Sequence, residues 1–189
     1  MRVWALRRKQ TSGFTLIELM VVVAIIGILA ILAVAGYSKM VRSSHTTEAT
    51  QMVNGIKVAQ ETFHAETGQY ANVSKSLNPG DLYPQGTPNT VEVVWGADCS
   101  TCVDTSAWRK LPVHASGAML FDYATVAGVS GSAPTVPNTT KSVTFPTAKD
   151  ITGDWYVADG VGDQDNNSIY CTVIGTSWDS KIYVENDGE

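Results

Sequence analysis

The chain predicts an α+β fold: one long N-terminal helix, half membrane-spanning and half amphipathic, packed on a C-terminal antiparallel β-sheet. Three observations predict it. Residues 14–37 carry 20 apolar side chains among 24. A helical rhythm then continues as far as Gly68, and short runs of strand pattern between Gly- and Pro-rich stretches fill the remainder. At 189 residues with net charge −5, the chain has room for one core and not for a large multidomain enzyme. Composition also excludes collagen, wholesale disorder and a many-pass transporter.

Charge divides along the chain. Residues 1–13 carry Arg2, Arg7, Arg8 and Lys9 and no acid, so the other 176 residues hold 9 basic against 18 acidic groups, a net −9. The positive-inside rule keeps the basic end cytoplasmic and sends the acidic remainder outward, which places Cys99, Cys102 and Cys171 in an oxidising compartment. An acidic outer part without basic clusters gives no indication of a nucleic-acid partner.

A 24-residue helix over residues 14–37 is about 36 Å long, enough for a hydrocarbon layer of about 30 Å. A plain anchor is one reading, and a secretory signal cut after Ala35, releasing a soluble protein, is another. Neither explains Glu18. An acid in a spanning helix costs about 3 kcal/mol near the centre, so it faces a partner and marks function. Cleavage of the Gly13–Phe14 bond would create that partner, an α-ammonium on Phe14, within the same helix or on a staggered neighbour.

The basic leader ending in Gly13, followed by FTLIELMVVVAIIGILA over residues 14–30, closely resembles the class III signal of type IV prepilins. The resemblance covers roughly residues 7–70 and implies the type IV pilin fold. It also implies cleavage after Gly13 by a prepilin peptidase, methylation of the Phe14 amine, and a docking role for Glu18, which neutralises the N-terminal charge of the adjacent protomer. One departure is Ala35, where many type IV pilins have a proline that loosens the helix; Gly36 beside it is the weaker breaker.

Four segments follow: a cleaved leader (1–13), a transmembrane and filament-core helix (14–37), the amphipathic half of that helix (38–68) and a β-rich head (69–189). In the amphipathic half, Ala49, Met52, Val53, Ile56, Ala59 and Phe63 form one stripe, with Lys39, Arg42, Glu48, Lys57, Gln60 and Glu61 on other faces. Gly68 stops a helix that would be about 80 Å long. Residues 77–90 and 128–140 read as exposed loops, and strands are expected at 91–95, 119–126, 155–158, 168–174 and 181–184. Phe121, Tyr123 and Trp155 read as core or interface aromatics.

Chemistry-bearing residues are few. Cys99-Ser100-Thr101-Cys102 is a weak metal or redox signal without a second pair, and a disulfide is the better reading. Three pairings are open, and a bond from Cys171 to Cys102 or Cys99 is preferred because it ties the distal loop to the last strands. Residues 159–168 read as an acidic turn in which Asp163, Asp165 and Asn167 have the spacing of a calcium loop. Ser168 and Ile174 stand where an EF-hand needs glycine and glutamate, so the choice lies between a calcium site of another kind and a solvated turn. Some pilins and type II secretion pseudopilins bind calcium in this C-terminal region. His45, His64 and His114 lack ligand partners at metal spacing, and Asn72, Asn138 and Asn166 head the short glycosylation pattern. No nucleophile elbow, phosphate loop or zinc motif occurs, so the chain reads as a substrate of an enzyme and not an enzyme.

The expected function is a pilin: a precursor in the inner membrane, then one subunit of a homopolymer in an extracellular filament for motility, adhesion or DNA uptake. Its partners by resemblance are the prepilin peptidase, an inner-membrane assembly platform and minor pilins. A minor pilin, or a pseudopilin of a periplasmic type II secretion filament, carries the same leader.

Overall fold

The computed structural model describes residues 13–96, 105–141 and 143–189, in two compact units divided after Ser38. Helix α1 (Leu16–Thr67) starts in the first unit and ends in the second. In the first unit every side chain from Gly13 to Val34 is exposed, and the most apolar window of the helix has no cover from the chain itself. Val21, Val22, Val23, Ile25 and Ile26 are poor helix formers in water. In lipid the helix is nevertheless the one local structure that satisfies every backbone group internally. Among the described residues, α1 alone is long and apolar enough to cross a membrane.

The second unit takes over α1 from Lys39. The predicted stripe is its buried face: Ala49, Val53 and Ile56 are fully buried, with Met52 and Ala59 beside them and Phe63 half-buried. Gln60 departs from expectation. It is fully buried and not on a polar face, because its amide acts as a piece of backbone for the chain beyond the helix. Nε2 donates to the Ala71 carbonyl at 2.8 Å and to Thr125 Oγ1 at 2.9 Å, while Oε1 accepts the Ala71 N–H at 2.9 Å. The helix ends where predicted: Gly68 takes a left-handed conformation (φ 78°) and its N–H bonds the His64 carbonyl at 2.8 Å.

Next come β1 (Val93–Val94), α2 (Thr105–Trp108) and β2 (Ala118–Met119), and β1 pairs antiparallel with β2. Strands β3 (Asp122–Gly128), β4 (Trp155–Gly162), β5 (Cys171–Thr176) and β6 (Ile182–Glu185) form an antiparallel sheet in the order β3-β4-β5-β6. Each pairing joins strands consecutive in sequence, the simplest topology for an antiparallel sheet. The run expected as one strand from 119 is split: Met119 pairs with Val93, and β3 begins only at Asp122.

Strand β4 differs most from expectation, running four residues beyond Ala158 through Asp159-Gly160-Val161-Gly162. Gly160 and Gly162 are not turn residues; they make room. A Cβ on Gly160 would lie 3.0 Å from the Tyr123 ring and 3.2 Å from Val53, and one on Gly162 would lie 2.9 Å from the Phe121 ring. On β5 a Cβ at Gly175 would lie 2.8 Å from the Lys57 side chain and 3.0 Å from Val53. The sheet face that meets α1 is thus lined with glycine where Val53 presses in. The expected turn shortens accordingly to the residues after Gly162.

The opposite sheet face is buried as well. Leu77, Leu82, Ala124, Val126, Trp155, Val157, Val161 and Ile174 form a second core, and Val143, Phe145 and Ile151 from the connection between β3 and β4 pack on it. That connection is a cover, with Trp155 Nε1 donating to the Ser132 carbonyl at 3.1 Å. Two carboxyls lie inside. Asp122 Oδ1 accepts the Gln85 N–H at 2.8 Å, but its Oδ2 and both oxygens of Asp159 have no hydrogen-bond partner among the described residues. Burial pushes Asp122 up to about 6, and it raises Asp159 well above the usual carboxylate range, aided by Glu185 nearby.

Both acids therefore hold protons in the fold that the unfolded chain releases near pH 4. Their contribution is complete below that pH and is lost as pH rises, for Asp122 through about 6. The loss for Asp122 amounts to about 3 kcal/mol. Asp122→Asn, which keeps the acceptor for Gln85, is expected to raise the melting temperature at pH 8 and leave it nearly unchanged at pH 4. Thermal denaturation across that range measures it.

Candidate functional site

The site predicted by sequence lies where α1 begins. A Cβ placed on Gly13 would meet no atom within 4 Å, and the Phe14 side chain is 86 % exposed, so the bond between them is open to an enzyme. Thr15 stands immediately before the helix and Glu18 is its third residue, the T-x-x-E spacing of a capping box. The geometry is formed. The Thr15 N–H donates to Glu18 Oε2 at 2.8 Å, Thr15 Oγ1 donates to the same oxygen at 2.7 Å, and the Glu18 N–H returns to Thr15 Oγ1 at 3.3 Å.

This arrangement gives the carboxylate two donors from its own chain, which lowers the cost of holding it at membrane depth. It also divides the two oxygens. Oε2 takes both Thr15 bonds, while no described residue donates to Oε1. Thr15 is legible as a capping residue from its spacing to Glu18, a local role distinct from pairing with a neighbour's amine.

The remaining candidates are dispersed. Asp163 accepts the backbone N–H groups of Asn167 at 3.1 Å and Ser168 at 3.0 Å, so its carboxylate closes the turn after β4. Asp165 pairs with Arg42 at 3.1 Å, and Asn167 donates to Glu189 at 3.0 Å and accepts the Ile169 N–H at 2.6 Å. The three side chains are engaged with separate partners. Among the described residues no group of three or more His, Cys, Asp or Glu side chains is placed to hold a metal ion. His45 lies 3.9 Å from Glu48, and His64 stacks on Tyr70 with ring centroids 4.3 Å apart.

Of the three cysteines in the expected disulfide, Cys171 is the one among the described residues. It is a free thiol, fully buried on β5 and 3.6 Å from Thr46 Oγ1 on α1, and burial pushes it up to about 11. Cys99 and Cys102 lie outside the described residues.

Residues 8–34 match the family model of the prokaryotic N-terminal methylation motif, the class III prepilin signal. The match spans the cleavage bond, the capping box and most of the exposed apolar helix, and supports a type IV pilin-like precursor held at a membrane by that helix. No solved structure matches the chain. The α+β layout, a long apolar-to-amphipathic helix before an antiparallel sheet, is consistent with the type IV pilin fold.

Two outcomes are expected. Thr15→Val removes the hydroxyl from the cap and is expected to destabilise the first helical turn by about 1 kcal/mol, read as faster amide exchange at residues 16–19 in micelles. Millimolar calcium is expected to leave the melting temperature unchanged, since the Asp163, Asp165 and Asn167 side chains are each engaged with a separate partner.

Proposed function

We propose that this chain, which carries the prepilin methylation signal, is a structural subunit of a type IV pilus: cleaved after Gly13, methylated on the Phe14 amine and polymerised into an extracellular filament. One observation carries the reading: the methylation motif at residues 8–34 coincides with a helix whose apolar side chains have no cover within the chain. Such a surface fits lipid before assembly and the helices of other copies afterwards.

Cleavage splits the Gly13–Phe14 amide by water and leaves a protonated amine on Phe14. Transfer from lipid into a filament exchanges tail contacts for side-chain packing, since lipid offers no hydrophobic drive of its own. The charge must be matched in that low dielectric, because a lone buried ion costs several kcal/mol. Glu18 Oε1 is the matching group, and Thr15 keeps the carboxylate aimed while Oε1 waits. No chemical step is assigned to the chain itself; the peptidase acts on it.

Intact mass of the mature protein tests the processing: a chain starting at methylated Phe14 is expected, and one starting at Gly36 overturns it in favour of a secreted product. Glu18→Ala is expected to insert and be cleaved normally while yielding far fewer sheared surface filaments. Wild-type filament amounts from that variant would remove the charge-pairing account. Abundance of the chain in those filaments separates a major subunit from a minor pilin or pseudopilin.

A further inference from the structure

An exposed tryptophan divides two clefts on the head. Trp178 follows β5, is 37 % exposed, and is braced by Phe145 with ring centroids 5.9 Å apart at 71°. On one side lies a cleft of about 730 Å³ between the outer face of α1 and the turn after β5. On the other lies one of about 230 Å³, walled by Tyr70, Trp155 and Asp154. Trp178 and Ser177 line both.

The charged groups here each hold at least one hydrogen bond within the chain. The Lys57 ammonium donates to the Asp179 carbonyl at 2.7 Å. Glu61 receives the Tyr70 hydroxyl at 3.2 Å, Asp179 receives the Tyr183 hydroxyl at 2.5 Å and the Lys181 N–H at 2.9 Å, and Asp154 receives the Ser130 N–H at 3.1 Å. Lys57 and the carboxylates stand close enough to offset one another across the cleft. Among the described residues no group bonds the Asn54 amide or the Ser180 hydroxyl, and both line the larger cleft.

An aromatic face with a rigid backing, a neutral amide, a free hydroxyl and carboxylates able to accept further hydrogen bonds suit a ring with an apolar C–H face and hydroxyl edges. A lipid or drug-like apolar ligand would leave these polar groups unpaired. We propose that the Trp178 clefts are a binding site for a neutral saccharide, one sugar ring stacking on Trp178 and its hydroxyls bonding Asn54 and Ser180. The volume of the larger cleft suits two or three sugar units. This proposal stands apart from filament assembly, and Glu18→Ala is expected to retain the site.

Full-length protein in lauryldimethylamine oxide micelles, a detergent without a sugar headgroup, is titrated with lactose, maltotriose and N,N′-diacetylchitobiose. Saturation-transfer NMR is expected to show contact with at least one of them, at a dissociation constant of about 1 mM. Trp178→Ala is expected to weaken it at least tenfold, Trp178→Phe to retain most of it, and Asn54→Ala, on the solvent face of α1, to weaken it severalfold. Absence of transfer to all three sugars, or unchanged affinity in Trp178→Ala, overturns the proposal. If circular dichroism shows Trp178→Ala unfolded, Asn54→Ala decides, and unchanged affinity there overturns it.

Discussion

Helix α1 can lie against the sheet only because Gly160 and Gly175 have no Cβ where Val53 sits. Most of the head's organisation follows from that close approach. Ala49, Ile56 and Ala59 complete a shallow stripe that the sheet can meet without gaps, and burying each branched side chain stabilises by about 1.5 to 3 kcal/mol. Cys171 and Val173 on β5 and Tyr156 and Ala158 on β4 fill the same layer. Larger residues at the two glycines would push the helix outward and break the Gln60 bonds, since Gln60 reaches Ala71 and Thr125 only from this depth.

The other sheet face follows a different logic, with Val143, Phe145 and Ile151 closing it from an irregular segment. Such a cover has no ladder of its own, so its backbone leans on side chains. The Lys141 N–H donates to Glu185 at 3.0 Å, the Thr140 hydroxyl bonds the same carboxylate, and the Ser130 N–H is held by Asp154. Asp122 and Asp159 sit beneath with their carboxyls held above the usual range by burial, a tension in the fold that grows as rising pH draws off their protons.

Much of this is legible in the residues. The apolar run, the Ala49-to-Phe63 stripe, the stop at Gly68 and the existence of four main strands follow from periodicity and composition, because in each case the signal lies in neighbouring positions of the chain. Where the reading fails, a distant partner decides. Gly160 and Gly162 look like turn residues until α1 and the Phe121 ring occupy the space their missing side chains leave. Gln60 looks like a surface amide until Ala71 folds back across it. The capping box is present in the spacing of Thr15 and Glu18, but the neighbour's amine is a second explanation for the same acid and hides the local one.

The polar ties between α1 and the head are spaced along the helix: Arg42 to Asp165 and to the Gly188 carbonyl, Lys57 to the Asp179 carbonyl, and Gln60 to Ala71 and Thr125. A force drawn along the helix axis loads these ties in shear, together, with the Val53 contact between them. Peeling them one at a time would need a sideways pull. A domain attached to its helix in this way resists tension through many weak bonds sharing the load, with no covalent clasp between helix and sheet required.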